Sequence, residues 1–211
     1  MIKFKNCLTK WNINDSVYIH SAYTQEGDRM LFKSNELEGQ AVMQTAARMC
    51  AAARTAPKAH GKDTIHTFVL TGEEKEKLAL KMEEVGTREM GDKMYTWYGR
   101  DAANVRSAHA VVLIGADKKQ LGVPHCGYCG FGDCDGCKKA GGNCGFAYVD
   151  LGIAVSSAVS AAAIDKVDCR VMYSIGKTAE EMDFACECIW LGIPVSVSGK
   201  NIFFDRGIFH D

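Results

Sequence analysis

Five of the chain's ten cysteines fall in one glycine-rich stretch: Cys126, Cys129, Cys134, Cys137 and Cys144. On one side lies Ala110 to Gly115 (AVVLIG), a continuous apolar run that reads as a central strand buried on both faces. On the other lies Leu151 to Ile164 (LGIAVSSAVSAAAI), apolar or small almost all round. That run reads as a deeply buried helix capped by Asp150. Any fold for this chain must therefore carry a thiol-lined loop between a core strand and a core helix. Core packing uses buried cysteines singly. Several soft ligands on a pliant backbone are what a multi-thiolate metal site needs.

The remaining pattern is mixed α and β. A helix is predicted from about Asn35 to Arg54, where Val42, Ala46, Met49, Cys50 and Ala53 recur at helical spacing. Cys50 lies on that stripe and reads as core. Thr64 to Thr71 reads as a strand, and Glu73 to Val85 as a helix burying Leu78, Met82 and Val85. Gly86 to Gly99 carries no regular pattern, and Arg100 to Arg106 reads as a short helix. After the apolar helix, Arg170 to Ser174 is predicted as a strand, Ala179 to Cys186 as a helix and Cys188 to Val195 as a strand.

At 211 residues the chain suits one domain. Its formal net charge of −1, without long runs of one sign, argues against nucleic acid as a partner. No apolar stretch reads as long enough to span a bilayer, so no membrane is expected. Met1 to Ser16 is polar and lacks the apolar segment of a secretory signal. A cytoplasmic, reducing location is the expectation, and there cysteines serve metal or redox chemistry rather than disulfides.

Cys126, Cys129 and Cys134 are separated by two and then four residues, and Cys144 follows the Gly141-Gly142 turn as a natural fourth ligand. Four thiolates suit a [4Fe–4S] cluster, a [2Fe–2S] cluster or a structural zinc. A plant-type [2Fe–2S] reading would use Cys129, Cys134 and Cys137 with Cys169 as remote ligand. A zinc reading would use the pairs 126/129 and 134/137, although the loop between them is short for a zinc ribbon. Cys137 is the surplus thiol, or an alternative ligand. Cys186 and Cys188 read as core packing, and Cys7 carries no signal of its own. The six histidines are dispersed, with no Ser/His/Asp order; His125, beside Cys126, reads as a loop residue.

The run CGYCGFGDC resembles the four-cysteine ferredoxin-type module of anaerobic redox proteins, which implies a [4Fe–4S] cluster on Cys126, Cys129, Cys134 and Cys144. AARMCAAARTAPKAHGKD, RDAANVR, VVLIGA, DLGIAVSSAVSAA and GIPVSVSGKNIFFDR together resemble an uncharacterised family of ferredoxin-domain-containing proteins, found mainly in anaerobic bacteria and archaea. The order of elements also resembles the FMN-dependent nitroreductases. That resemblance implies an α+β fold: a mixed sheet flanked by helices, one domain over residues 1–211, with the cluster segment 122–147 inserted. It also implies a homodimer built on the apolar helix. An FMN phosphate would be met by Arg54, Lys58, Lys200, Asn201 and Arg206. The sequence departs from the nitroreductase pattern at Lys58, which stands where a loop serine belongs, and at the N-terminus, which offers Lys3, Lys5 and Lys10 in place of an arginine pair. The expected function is a cytoplasmic oxidoreductase passing electrons between the cluster and a flavin, with a redox partner or small-molecule substrate. A cluster-only carrier or redox sensor and a structural zinc protein are the alternatives. A Lewis-acid hydratase is disfavoured, because ligands are in excess.

Overall fold

The computed structural model describes residues 31–184 and 187–204. In chain order it contains α1 (Ser34–Thr55), β1 (Ile65–Leu70), α2 (Gly72–Met90), α3 (Tyr98–Ser107), β2 (Ala110–Asp117), α4 (Cys134–Lys139), α5 (Gly145–Ile164), β3 (Asp168–Cys169), α6 (Tyr173–Ala179) and β4 (Cys188–Ser196). The strands form one antiparallel sheet in the order β1-β2-β4-β3. Residues from Lys33 onward form one compact unit.

β2 is central, and its alternation divides the core in two. Ala110, Val112, Ile114 and Ala116 face α1 and α5, where they meet Val42, Met49, Leu151, Ala154 and Ala158. Val111 and Leu113 face the other way, toward Leu78 and Met82 of α2, Val105 of α3 and Ile175 of α6. A strand buried on both faces needs an unbroken apolar run, as its sequence predicts.

α1 and α5 run antiparallel along each other. Ser157 donates to the carbonyl of Ala52, and Thr45 donates to Asp165 at 2.8 Å. Arg48 also pairs with Asp165. At the opposite end, buried Asp150 accepts from the Ala59 amide at 3.0 Å and 3.2 Å. Asp150 is therefore no cap. The helix begins five residues earlier, with Cys144 as N-cap, and Asp150 sits inside it holding the chain that leaves α1.

Other expectations are corrected. α2 continues through Gly86 to Met90, because a Cβ at Gly86 would lie 2.5 Å from Tyr98 and the missing methyl admits that ring against the helix. Arg170 to Ser174 is not a strand: β3 is Asp168–Cys169, only Met172 bridges to Gly192, and α6 starts at Tyr173. Met172, Ile175 and Ala179 share one buried face, so the period there is helical. The helix expected over Ala179 to Cys186 ends where it was to begin, and Cys186 lies outside the described residues. α5 is covered on one side only; Tyr148, Val149, Ile153 and Ile164 are exposed, so deep burial all round is not found. With 20 residues and a mean hydropathy of 1.6, α5 also has the length and composition to cross a bilayer, contrary to the sequence reading. It packs instead along α1 and against β2.

Two glycines test this packing in opposite directions. A Cβ at Gly176 would stand 1.9 Å from the backbone oxygen of Trp190, which no rotamer can relieve, whereas one at Gly39 meets nothing within 4 Å. Gly176→Ala is expected to lower stability by about 3 kcal/mol. Gly39→Ala is expected to raise it by about 0.5–1 kcal/mol. Urea denaturation reads both. The Thr45 hydroxyl, and then the Arg48 guanidinium, hold the Asp165 carboxyl below its usual 3.8. That stabilisation is complete above the usual value and is lost as pH falls through the lowered one. Asp165→Asn should therefore weaken the fold at neutral pH and flatten its acid limb below pH ~4 in a pH series of the same denaturation.

Candidate metal centre

The chain leaves β2 at Asp117 and returns at Gly145, and the only helix between them is the single turn and a half of α4. Two contacts fold this segment onto the start of α5, and a third closes it on itself. The Tyr128 ring stacks on Phe146 with centroids 5.4 Å apart. Gly145 lies so close that a Cβ there would be 3.3 Å from the Cys129 amide nitrogen. Phe131 covers Gly142, where a Cβ would meet its ring at 2.6 Å. Gly127 takes a φ of 54°, in the left-handed region, and turns the chain between the first two cysteines.

The Asp133 side chain accepts from the Gly136 amide at 2.7 Å and starts α4 at Cys134. One turn later, Cys137 is fully buried. Its thiol donates to the Asn143 carbonyl at 3.4 Å and accepts from Gln120 Nε2 at 3.5 Å. The Gln120 hydrogen bond draws the Cys137 thiol pKa down, but desolvation and the neighbouring Cys129 and Cys144 thiols outweigh it and push it up. Cys129, Cys137 and Cys144 thus converge. Cys126 and Cys134 flank a shallow cavity of about 260 Å³ beside Gly132 and Asp133. The Tyr128 amide donates to Cys126 Sγ at 3.4 Å. Cys144 is the N-cap of a 20-residue helix, so the positive end of the α5 dipole lies at this cysteine.

These residues fit an iron–sulfur cluster: thiols gathered on a loop with backbone amides turned toward sulfur. The plant-type set does not fit. Cys169 lines a cavity with Val159 and Ala163. Fifteen residues of α5, about 20 Å, separate Val159 from Cys144. His125 is an exposed loop residue. Cys50 packs against the α1–α5 side of the core while remaining half-buried. Gln120, which holds both Cys137 and the Gly142 carbonyl, carried no sequence signal.

Of the residues expected at a flavin phosphate, Arg54, Lys58, Lys200 and Asn201 lie among the described residues. Lys58 donates to the carbonyls of Arg54 and Ala56, closing the C-terminus of α1, and Arg54 pairs with Asp63. Asn201 accepts from the Phe203 amide and lines the cavity at the far end of α5. The Ala59–Asp150 contact places Lys58 near the start of α5, roughly 15 Å of helix away. Lys200 sits in the exposed turn before Asn201, where its carbonyl accepts from Ser198. Arg206 and Cys7 lie outside the described residues, as do Lys3, Lys5 and Lys10.

Two solved structures share this architecture. One is a nitroreductase with bound FMN from Bacteroides fragilis, with a TM-score of 0.51 at 12% identity over 81% of this chain and 80% of that one. The other is a nitroreductase with bound FMN from Desulfitobacterium hafniense, also with a TM-score of 0.51 at 12% identity, over 82% of each chain. The fold is that of the nitroreductases. An uncharacterized protein of Archaeoglobus fulgidus is 40% identical across 84% of this chain and 98% of its own. Residues 140–206, which take in Cys144 and all of α5, match the model of a family described as uncharacterized protein containing a ferredoxin domain. With a relative this similar along nearly its whole length, the chain belongs to the family of uncharacterized proteins that contain a ferredoxin domain.

Proposed function

We propose that this protein is a cytoplasmic iron–sulfur redox protein with a [4Fe–4S] cluster on Cys126, Cys129, Cys134 and Cys144. The observation that carries the reading is five free thiols carried on one loop that is seated at the N-terminus of α5, with Cys129, Cys137 and Cys144 close together. The ferredoxin domain of the family suggests an iron–sulfur cluster, and the spacing of the cysteines favours the four-iron form. When bound, such a cluster supplies one-electron transfer. The chain's own part is to hold the thiolates and tune them. The Tyr128 amide donates to Cys126, and Cys144 stands at the positive end of the α5 dipole. Cys137 is the supporting thiol, because it already has an acceptor in Asn143 and a donor in Gln120.

A homodimer is part of the proposal. Tyr148, Val149, Ile153 and Ile164 form an uncovered apolar face on α5, and a second copy laid against it would bury them. The nitroreductase fold favours a flavin as electron partner, and the two solved relatives hold FMN. Within one chain Arg54 pairs with the exposed Asp63, and Lys58 donates to the Ala56 carbonyl. A cluster-only carrier is the second reading, in which Arg54 and Lys58 serve only the end of α1.

Anaerobic reconstitution should give about four iron and four sulfide per chain. Serine at position 126, 129, 134 or 144 should each remove most of both, while Cys137→Ser should keep them. Preparations without acid-labile sulfide would sink the cluster reading. Released-flavin fluorescence near zero would settle the carrier form, and one flavin per chain would reinstate the flavin enzyme. In sedimentation, a Val149→Glu, Ile153→Glu double variant should run as a monomer where the unaltered chain runs as a dimer.

A further inference from the structure

A second donor cluster lies at the end of the sheet, on the face toward α2, α3 and α6. His66 on β1 stands opposite Gly115 on β2, and Asp117, two residues further along β2, is paired directly with Cys188 on β4. Directly opposed residues share a face, and so do residues two apart. Three adjacent strands thus present an imidazole, a carboxylate and a thiol side by side. His66 Nε2 lies 2.9 Å from Asp117 Oδ1, and the Cys188 thiol donates to the same oxygen at 3.6 Å. All three donor atoms lie within 4.8 Å of one another.

We propose that His66, Asp117 and Cys188 form a mononuclear site for a divalent transition metal of the zinc class, separate from the cysteine loop. Tetrahedral zinc with bonds of about 2.0 Å to nitrogen and oxygen and 2.3 Å to sulfur requires donor separations of about 3.3–3.5 Å. The observed 2.9 Å and 3.6 Å to Asp117 bracket that range, and the His66 and Cys188 donor atoms lie within 4.8 Å of each other. Neutral imidazole, carboxylate and thiolate together cancel a charge of +2, which suits a partly buried site. Cys188 is buried, and the side chains of His66 and Asp117 are 37% and 23% exposed. Phe68 and Trp190, each two residues along its strand from His66 or Cys188 and so on the same face, pack with Phe184 in an aromatic cluster beside the trio.

Three protein ligands leave a fourth position, the arrangement of catalytic rather than structural zinc. That position faces open space. Cys188 lines a cavity of about 340 Å³ with Lys118, Glu180, Glu187 and Trp190. Asp117 lines a cleft of about 570 Å³ that Lys118 and Glu187 also border. The cleft runs on to Gln120 and Gly142, the residues that hold the buried Cys137. At most about 10 Å of extended chain separates Asp117 from Gln120. The proposed metal and the cysteine loop therefore open onto one cleft.

The test uses the full chain with its cluster reconstituted, titrated anaerobically with Zn²⁺ against a chromophoric chelator. The expected result is one Zn²⁺ per chain in addition to iron. His66→Ala and Cys188→Ser should each weaken binding about 100-fold or more, and Asp117→Asn about 10-fold or more, with iron and sulfide unchanged. Cys129→Ser should lose iron and keep this zinc, which separates failure of the site from failure of the cluster reading. Substituting Co²⁺ should give a thiolate charge-transfer band that Cys188→Ser abolishes. His66 is partly exposed, so its variant answers the question even if Cys188→Ser fails to fold. Equal Zn²⁺ binding by the unaltered chain and the three variants would overturn the proposal and leave a hydrogen-bonded trio. So would loss of the zinc on cluster reconstitution.

Discussion

The seating of α5 is the constraint on which the rest depends. Its covered side closes one half of the core against α1 and β2, its interior Asp150 fixes the turn after α1, and its first residues receive the cysteine loop. Small side chains make this possible. Ala154, Ala158 and Ala162 let α1 lie close, and Gly145 lets the Cys129 backbone reach the helix end. A bulky residue at any of these positions would move the thiols as well as the core.

Much of this was legible. α1, β1, α3, β2 and β4 have strong periods or unbroken apolar runs, and they stand within a few residues of their predicted bounds. The errors have two causes. At Gly86 and Asp150 the local pattern was overruled by a partner elsewhere in the chain, the Tyr98 ring and the Ala59 amide, whereas at Met172–Tyr173 a helical period was read as a strand. No window of sequence contains such partners.

The site divides in the same way. The five loop cysteines could be read because they are neighbours in the chain. Which of them are buried could not: Cys137 and Cys144 are, and Cys137 owes its position to Gln120 and Asn143. The trio of His66, Asp117 and Cys188 was invisible. Each residue alone reads as an ordinary strand-end side chain, and only the register of three antiparallel strands brings them together. The basic residues near α1 show the opposite: Arg54 and Lys58 looked like an anion site, and the structure engages them with Asp63 and with the carbonyls that end the helix.

The pairing of Asp117 with Cys188 joins positions 71 residues apart, and the whole cysteine segment hangs inside the loop that this pairing closes. The entropy of closing such a loop depends only logarithmically on its length. The ladder between β2 and β4 draws its hydrogen bonds from residues outside the segment. Topologically the segment is a passenger: the β2–β4 ladder takes none of its hydrogen bonds from it, and its two ends are placed by a strand and a helix that belong to the core.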